Sequence, residues 1–247
     1  MTSLLKSSRD TITVVGASGY TGLSFVSLLR AAPTLPTKVE KIVAITERPL
    51  SLPSTDPAAK TVINRVTADG AYAIPDETQI IFIGLDIDGR RGRDLEEQYR
   101  RQKEKNLQIA RVARKQDIPT IVVVSSHGAS RDSRFACARL QAEFELEIVK
   151  LMFERTIILR PGHMTNQSLK TIVGSNKRIP FLGWWIIDGM TCRKVELAKA
   201  TMMILTKTAG ERGVIVLRNS ELRDLAREYD NRECECSICR QFQYTRP

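Results

Sequence analysis

Apolar residues in this chain fall into short unbroken runs, separated by longer stretches with helical spacing. The runs at 11–15, 41–46, 79–85, 120–125 and 156–159 are continuous and rich in β-branched residues. Runs of that kind read as strands buried on both faces. Residues 61–66 read as a further short strand and 213–217 as a late one. Between them, 23–30, 95–116, 135–153, 195–206 and 220–229 carry apolar positions at helical spacing. In 135–153 the residues Leu140, Phe144, Ile148, Leu151 and Met152 mark one side. Pro33 closes the first helix, and Ser220 is the expected N-cap of the last.

Strands covered on both faces and alternating with helices predict an α/β fold, a doubly wound and mainly parallel Rossmann-type sheet. Ligands of such sheets bind outside the carboxyl ends of the strands. The positions to inspect therefore follow the strands: 16–22, Glu47 and Arg48, 84–88, 125–128 and 160–163. One main domain is expected over residues 1–230, with a small divergent substrate region at about 163–195 and a disordered Cys-bearing tail at 231–247.

The chain has 247 residues, 42% of them hydrophobic, which is too apolar for a disordered chain. Its longest apolar runs fall far short of the roughly 18 residues a membrane span needs, and residues 1–10 carry no apolar signal core. A reducing, intracellular setting is expected from five cysteines, an odd number. The 38 basic against 28 acidic residues give a net charge of +10. Basic and acidic residues interleave over 90–114, so a solvated helix face is favoured there and nucleic acid is disfavoured. An anionic cofactor or an anionic membrane surface would use the same charge.

The chemistry begins at Gly16-Ala17-Ser18-Gly19-Tyr20-Thr21-Gly22, which follows one predicted strand and opens a helix. There Gly16 permits the tight turn, Gly19 lets the backbone approach a pyrophosphate, and Gly22 permits close helix–strand packing. Ser18, Tyr20 and Thr21 complete the turn, whose helix N-terminus attracts an anion. Gly84 and Leu85 flank the same edge after their strand. NAD and NADP are both open: Glu47 would hold a ribose 2′-hydroxyl, Arg48 a 2′-phosphate. Arg48 and the net charge favour NADP.

Ser125 and Ser126 follow a predicted central strand, with His127 beside them. The stretch 125–162, read as SSHGASRDSRFACARLQAEFELEIVKLMFERTIILRPG, resembles the atypical short-chain-dehydrogenase-like family of fungal mitochondrial outer-membrane proteins and the animal Tat-interacting oxidoreductase-like tumour suppressor. With the glycine turn and the stretch from Gln98-Tyr99 to Ala110, the resemblance covers about residues 11–165. It implies a nicotinamide cofactor, a serine that orients a substrate carbonyl, and a nicotinamide pocket shaped by Arg160, Pro161 and Gly162. It also implies a Tyr-x-x-x-Lys pair on the helix after the serine loop. This chain departs there, with Cys137 at the Tyr position and Gln141 at the Lys position. The expectation is a cofactor-dependent sensor or interaction module with weak or no turnover. The alternative is an oxidoreductase acting on a carbonyl substrate with another proton donor: His127, Cys137 or a serine-bound water. The resemblance implies a cytoplasmic or mitochondrial outer-membrane location.

Two features of the last third stand apart. The cluster at 181–187, with Trp184 and Trp185, reads first as a core strand, then as a pocket wall or a peripheral membrane contact. Cys234, Cys236 and Cys239 supply three thiolates where structural zinc uses four ligands, so no metal site is expected.

Overall fold

The computed structural model describes residues 10–31, 39–46, 50, 62–66, 72–84, 95–165 and 191–237. In chain order the strands are β1 (Asp10–Val15), β2 (Val39–Thr46), β3 (Val62–Val66), β4 (Thr78–Ile83), β5 (Thr120–Val124), β6 (Arg155–Arg160), β7 (His163–Thr165), β8 (Thr191–Arg193) and β9 (Gly213–Arg218). Helices α1 (Tyr20–Ala31), α2 (Leu95–Lys115), α3 (Ala136–Lys150), α4 (Lys194–Lys207) and α5 (Asn219–Ser237) accompany them. Seven strands form one sheet in the order β3-β2-β1-β4-β5-β6-β9, and β7 pairs with β8 separately. Every neighbouring pair is parallel. The order reverses between β1 and β4, where such sheets open a crevice.

Alternate side chains of each strand point to opposite faces. Val14, Phe82, Val122 and Ile157 meet Phe25 of α1, Leu197 of α4 and Leu222 of α5 on one face. Val15, Ile83, Val123 and Ile158 meet Ile109 of α2 and Phe144 of α3 on the other. Both faces are thus covered, which explains the unbroken apolar runs. Phe25 and Phe82 stack with centroids 4.6 Å apart and fix α1 on the sheet near the glycine turn.

At the edge away from that turn, Arg155 is buried and anchors the sheet to α4. Its Nε donates to Thr120 Oγ1 at 3.3 Å and its Nη1 to the Thr208 carbonyl at 2.5 Å. A cation on the C-terminal carbonyls of a helix is favourably placed.

Three sequence expectations change. Helix α3 ends at Lys150, and Met152, expected on its buried side, is exposed at φ 55 in the turn to β6. Helix α5 begins at Asn219, so Ser220 lies inside the helix; the Arg218 amide instead donates to Glu221 Oε2 at 2.7 Å. The same helix runs on to Ser237, seven residues into the expected disordered tail, with Arg232 paired to Glu228 one turn back. The cluster at 181–187 and Cys239 lie outside the described residues.

Candidate functional site

The carboxyl ends of β1, β4, β5 and β6 come together along one edge of the sheet. Gly16 and Ala17 both donate their amides to the Ile45 carbonyl of β2, at 3.0 and 3.3 Å. Gly84, after β4, donates to the Val15 carbonyl at 3.1 Å. These bonds tie the glycine turn to the strand ends on either side of the switch point.

Within the turn, Gly16 has φ 79, a region in which a side chain is strained. Gly19 donates to the Gly16 carbonyl at 2.9 Å, and Leu23 to the Gly19 carbonyl at 3.0 Å, which starts α1. Gly22 is buried: a Cβ there would lie 2.3 Å from the Gly16 carbonyl oxygen and 2.8 Å from Ala17 Cα. No side chain fits that space, so α1 can only sit this close to β1 with glycine at 22. Ser18 and Gly19 are half-buried, Thr21 is buried, and Tyr20 opens the helix. A turn of this shape presents backbone N–H groups and a positive helix end to an anion. Glu47, Arg48 and Leu85 lie outside the described residues. Gly84 is buried against the Phe82 ring, where an added Cβ would approach Cε1 to 2.5 Å.

The serine loop lies beside the turn after β6. Ser125 donates its amide to the Leu159 carbonyl and His127 to the Pro161 carbonyl, each at 2.7 Å. Pro161 and Gly162 are buried, and Gly162 donates to Asn219 Oδ1 at 2.7 Å. Asn219 in turn donates Nδ2 to the Thr191 carbonyl at 3.0 Å, clamping the turn to β8. Ser125 is only 6% exposed, and among the described residues its hydroxyl has no hydrogen-bond partner. Ser126 is half-buried and His127 exposed. In β5, Ile121 and Val123 pack in the α2–α3 layer while Val122 packs in the other. The alternation carries Ser125 to the α2–α3 side.

Helix α3 brings Cys137 and Gln141 to that side, both half-buried and one turn apart. Glu145, one further turn along, is buried and forms a bidentate pair with Arg160 at the end of β6. The hydrogen-bonded carboxylate beside Arg160 raises the guanidinium's pKa. Tyr99, on α2, is the neighbour that site reasoning passed over. Burial first, and then a charge on Cys137, push its hydroxyl above the ordinary tyrosine range. Lys103, one turn further, bonds Glu143 of α3 at 2.5 Å, so α2 and α3 are stapled beside this pair. The Tyr99 and Lys103 spacing was visible in the sequence, but on a helix where it had no assigned meaning. Glu145 and Asn219 carried no local signal, since their partners are distant in the chain.

No protein-family model matches the chain. It is 33% identical over 156 residues to the mitochondrial protein FMP52 of Saccharomyces cerevisiae, covering 62% of this chain and 65% of that protein. It is 30% identical to FMP52 of Eremothecium gossypii, covering 60% of this chain and 64% of that protein. It is also 30% identical over 161 residues to FMP52 of Kluyveromyces lactis, covering 65% of this chain and 70% of that protein. The chain belongs to the FMP52 family. It spans just under two thirds of the first two of these relatives.

Solved structures share the fold of this FMP52-family chain at low identity. A UDP-galactose 4-epimerase superposes with TM-score 0.59 at 13% identity, covering 84% of this chain and 76% of the epimerase. MoeE5, solved with UDP-glucose and NAD, gives 0.56 at 16%, covering 90% and 82%. A wide-type short-chain dehydrogenase/reductase from Veillonella parvula, solved with NADP, gives 0.51 at 16%, covering 85% and 94%. The Rossmann-type fold is thus that of short-chain dehydrogenases and epimerases. Among the described residues no helix is long and apolar enough to cross a membrane, and no group of three His, Cys, Asp or Glu could hold a metal ion.

Proposed function

We propose that this FMP52-family protein binds a nicotinamide dinucleotide at the glycine turn and reports or relays its occupancy, with weak or no turnover. The observation that carries the binding half is Gly22: its missing Cβ lets α1 approach β1 to contact distance, the packing that a diphosphate-binding turn requires. Gly16, Ser18, Gly19, Tyr20, Thr21 and Gly22 would line that cradle, with Gly84 beside it. Glu47 and Arg48 would meet the adenosine ribose, and Arg48 favours NADP over NAD. Leu85, Arg160, Pro161 and Gly162 would border the nicotinamide end.

When bound, the dinucleotide supplies or accepts a hydride. Ser125 can donate its unpartnered hydroxyl to a substrate carbonyl oxygen. What the chain lacks is the ordinary proton donor. Cys137 stands at its position, and Gln141 carries no charge to activate it. Loss of a positioned general acid costs about 10²–10⁴-fold in rate, which is the reason to read the protein as a sensor or interaction module first.

A second reading, a working NADP-dependent oxidoreductase with a relocated donor, is favoured by the orphan Ser125 hydroxyl and by Tyr99 beside Cys137. Tyr99, held protonated by burial, can hydrogen-bond a carbonyl, as can His127 or a serine-bound water. The relatives' mitochondrial label supports a mitochondrial location for this protein, with contact to the outer membrane surface consistent with its charge.

Isothermal titration with NADPH, NADH and their oxidised forms, beside Gly19→Asp, tests the proposal. Micromolar binding of one pair by the native protein, lost in the variant, is expected. No binding of any of the four would end the dinucleotide reading. Steady NADPH oxidation with a carbonyl substrate, abolished in Ser125→Ala, would replace the sensor reading with the enzyme.

A further inference from the structure

The turn after β6 is held from three directions. Glu145 of α3 binds both arms of the Arg160 guanidinium. The Pro161 carbonyl accepts the His127 amide of the serine loop at 2.7 Å. Gly162 donates its amide to Asn219 Oδ1, also at 2.7 Å. The first two anchors come from the chain between β5 and β6. The third comes from 57 residues away and opens α5.

A side-chain amide carries one carbonyl acceptor and N–H donors, the same groups that a peptide unit presents. Asn219 uses both kinds: Oδ1 accepts from Gly162, and Nδ2 donates to the Thr191 carbonyl at 3.0 Å. His163 stands opposite Thr191 in the β7–β8 ladder, so both partners lie at the start of that ladder. Asn219 closes it as a further peptide rung would. The sheet register brings the residue there. Arg160 of β6 is opposite Arg218 of β9, so Pro161 and Asn219 leave the sheet side by side at its carboxyl edge. Asn219 is 2% exposed. A polar amide is buried at a cost unless its groups are bonded, and a carboxylate at this position would lack the donor that Thr191 needs.

The docking of α5 is secured elsewhere. Leu222 and Ala226 are buried in the core. Lys199 and Lys207 of α4 pair with Asp230 and Glu228 of α5. The Asn219 bridge is directed away from these contacts, toward the edge where ligands of doubly wound sheets lie. One buried side chain thus touches the turn beside the serine loop on one side, and β8 and α5 on the other.

We propose that Asn219 is the positioning residue that holds the Arg160–Gly162 turn in register for the nicotinamide end of a bound dinucleotide, and through which occupancy of that end is felt at β8 and α5. It rests on the dinucleotide reading above for its ligand, and adds the path by which occupancy leaves the site. Coupling of this kind is reciprocal. A ring that settles against the turn tightens the bridge, and a broken bridge loosens the ring. The diphosphate, held at the glycine turn, is indifferent to it.

The test uses the full chain and two probes: NADPH, and 2′-phospho-ADP-ribose, which lacks the nicotinamide. NADH and ADP-ribose take their place if the native protein prefers NAD. Asn219→Ala removes the bridge. Asn219→Ser removes it too, because one hydroxyl cannot span both partners, but it keeps a helix-capping oxygen. In both variants NADPH affinity should fall about tenfold, as a binding loop loses its preorganisation, while 2′-phospho-ADP-ribose affinity stays within about twofold of native. Retained binding of the second probe also shows that the variants are folded. Amide hydrogen exchange reads the relay. In the native protein NADPH should slow exchange at residues 191–193 and at the start of α5, and 2′-phospho-ADP-ribose should not. Asn219→Ser should lose the effect. Equal loss of both probes in the two variants would make Asn219 a part of the fold alone and overturn the proposal. NADPH affinity unchanged in both variants would overturn it as well, as would exchange slowed equally by the two probes. A native protein that binds neither probe removes the dinucleotide reading itself, and this one with it.

Discussion

Arg160, the last residue of β6, grips Glu145 of α3 with both arms of its guanidinium, Nε on Oε1 at 2.8 Å and Nη2 on Oε2 at 2.5 Å. The two partners are unequally buried. The Glu145 side chain is 8% exposed and that of Arg160 27%. Removing the arginine strands a buried carboxylate, whereas removing the carboxylate leaves a guanidinium that can still reach water. Arg160→Ala should therefore destabilise by about 3–5 kcal/mol and Glu145→Ala by roughly 2, read as urea midpoints at constant m. Equal losses would mean that the pair acts through packing alone.

Gly22→Ala should cost about 1–3 kcal/mol, because its Cβ meets two backbone atoms that cannot swing aside. The same variant should lose dinucleotide binding, since α1 must lift from β1. Gly210 offers the contrast: it has φ 86 and nothing within 4 Å of a Cβ. Gly210→Asn should change stability by no more than about 1 kcal/mol, because asparagine tolerates that backbone region. Thermal denaturation of both, with NADPH titration of the first, checks the pair.

Ser125→Ala removes a buried hydroxyl that has no partner among the described residues. Stability should stay level or rise by up to about 1 kcal/mol, since a desolvated polar group disappears. A large loss of stability would show that the hydroxyl is bonded in solution, and its assignment to a ligand would fall.

Cys192 gives a pH signature. Burial, with the Glu196 charge adding to it, pushes the thiol up to about 12 from an ordinary 9.0. The folded protein then holds this proton after the unfolded chain has released it. Stability from the group is complete below pH 9 and is lost as the pH rises toward about 12. The native protein should lose about 1 kcal/mol more than Cys192→Ala between pH 8 and pH 10. Parallel urea titrations at those two values measure the difference. Cys192 should also resist thiol reagents at pH 8 until the protein unfolds.

The central strands were legible because they are covered on both faces, so Thr13, Val14 and Val15 needed no alternation to declare themselves, whereas the edge strand β9 leaves Val214 and Val216 exposed. The glycine turn was legible for a similar reason: Gly16 and Gly22 each answer a local backbone demand. The end of α3 was not, because Met152 is apolar and keeps the helical spacing while the backbone has already turned. The start of α5 was missed by one residue, because Asn219 and Ser220 are both acceptable caps. Only the partners of Asn219, at Gly162 and Thr191, show that its side chain serves the tertiary structure. At the candidate site, Cys137 and Gln141 were named from the resemblance alone, and Tyr99 could not be tied to Cys137 without the packing of α2 on α3.

The long excursion before β9 sets the order in which the protein can be completed during synthesis. When the ribosome has released β6, the sheet ends on a strand whose partner, beginning at Gly213, has not yet been made. The turn at Pro161 and Gly162 also waits for Asn219, which arrives only after β9. Until then the nascent chain carries an open sheet edge and an unpinned turn after β6. A chain stopped before residue 219 would therefore keep its glycine turn yet lack the clamp on the opposite side of the cleft, and a chaperone that shields strand edges is the natural companion of that interval.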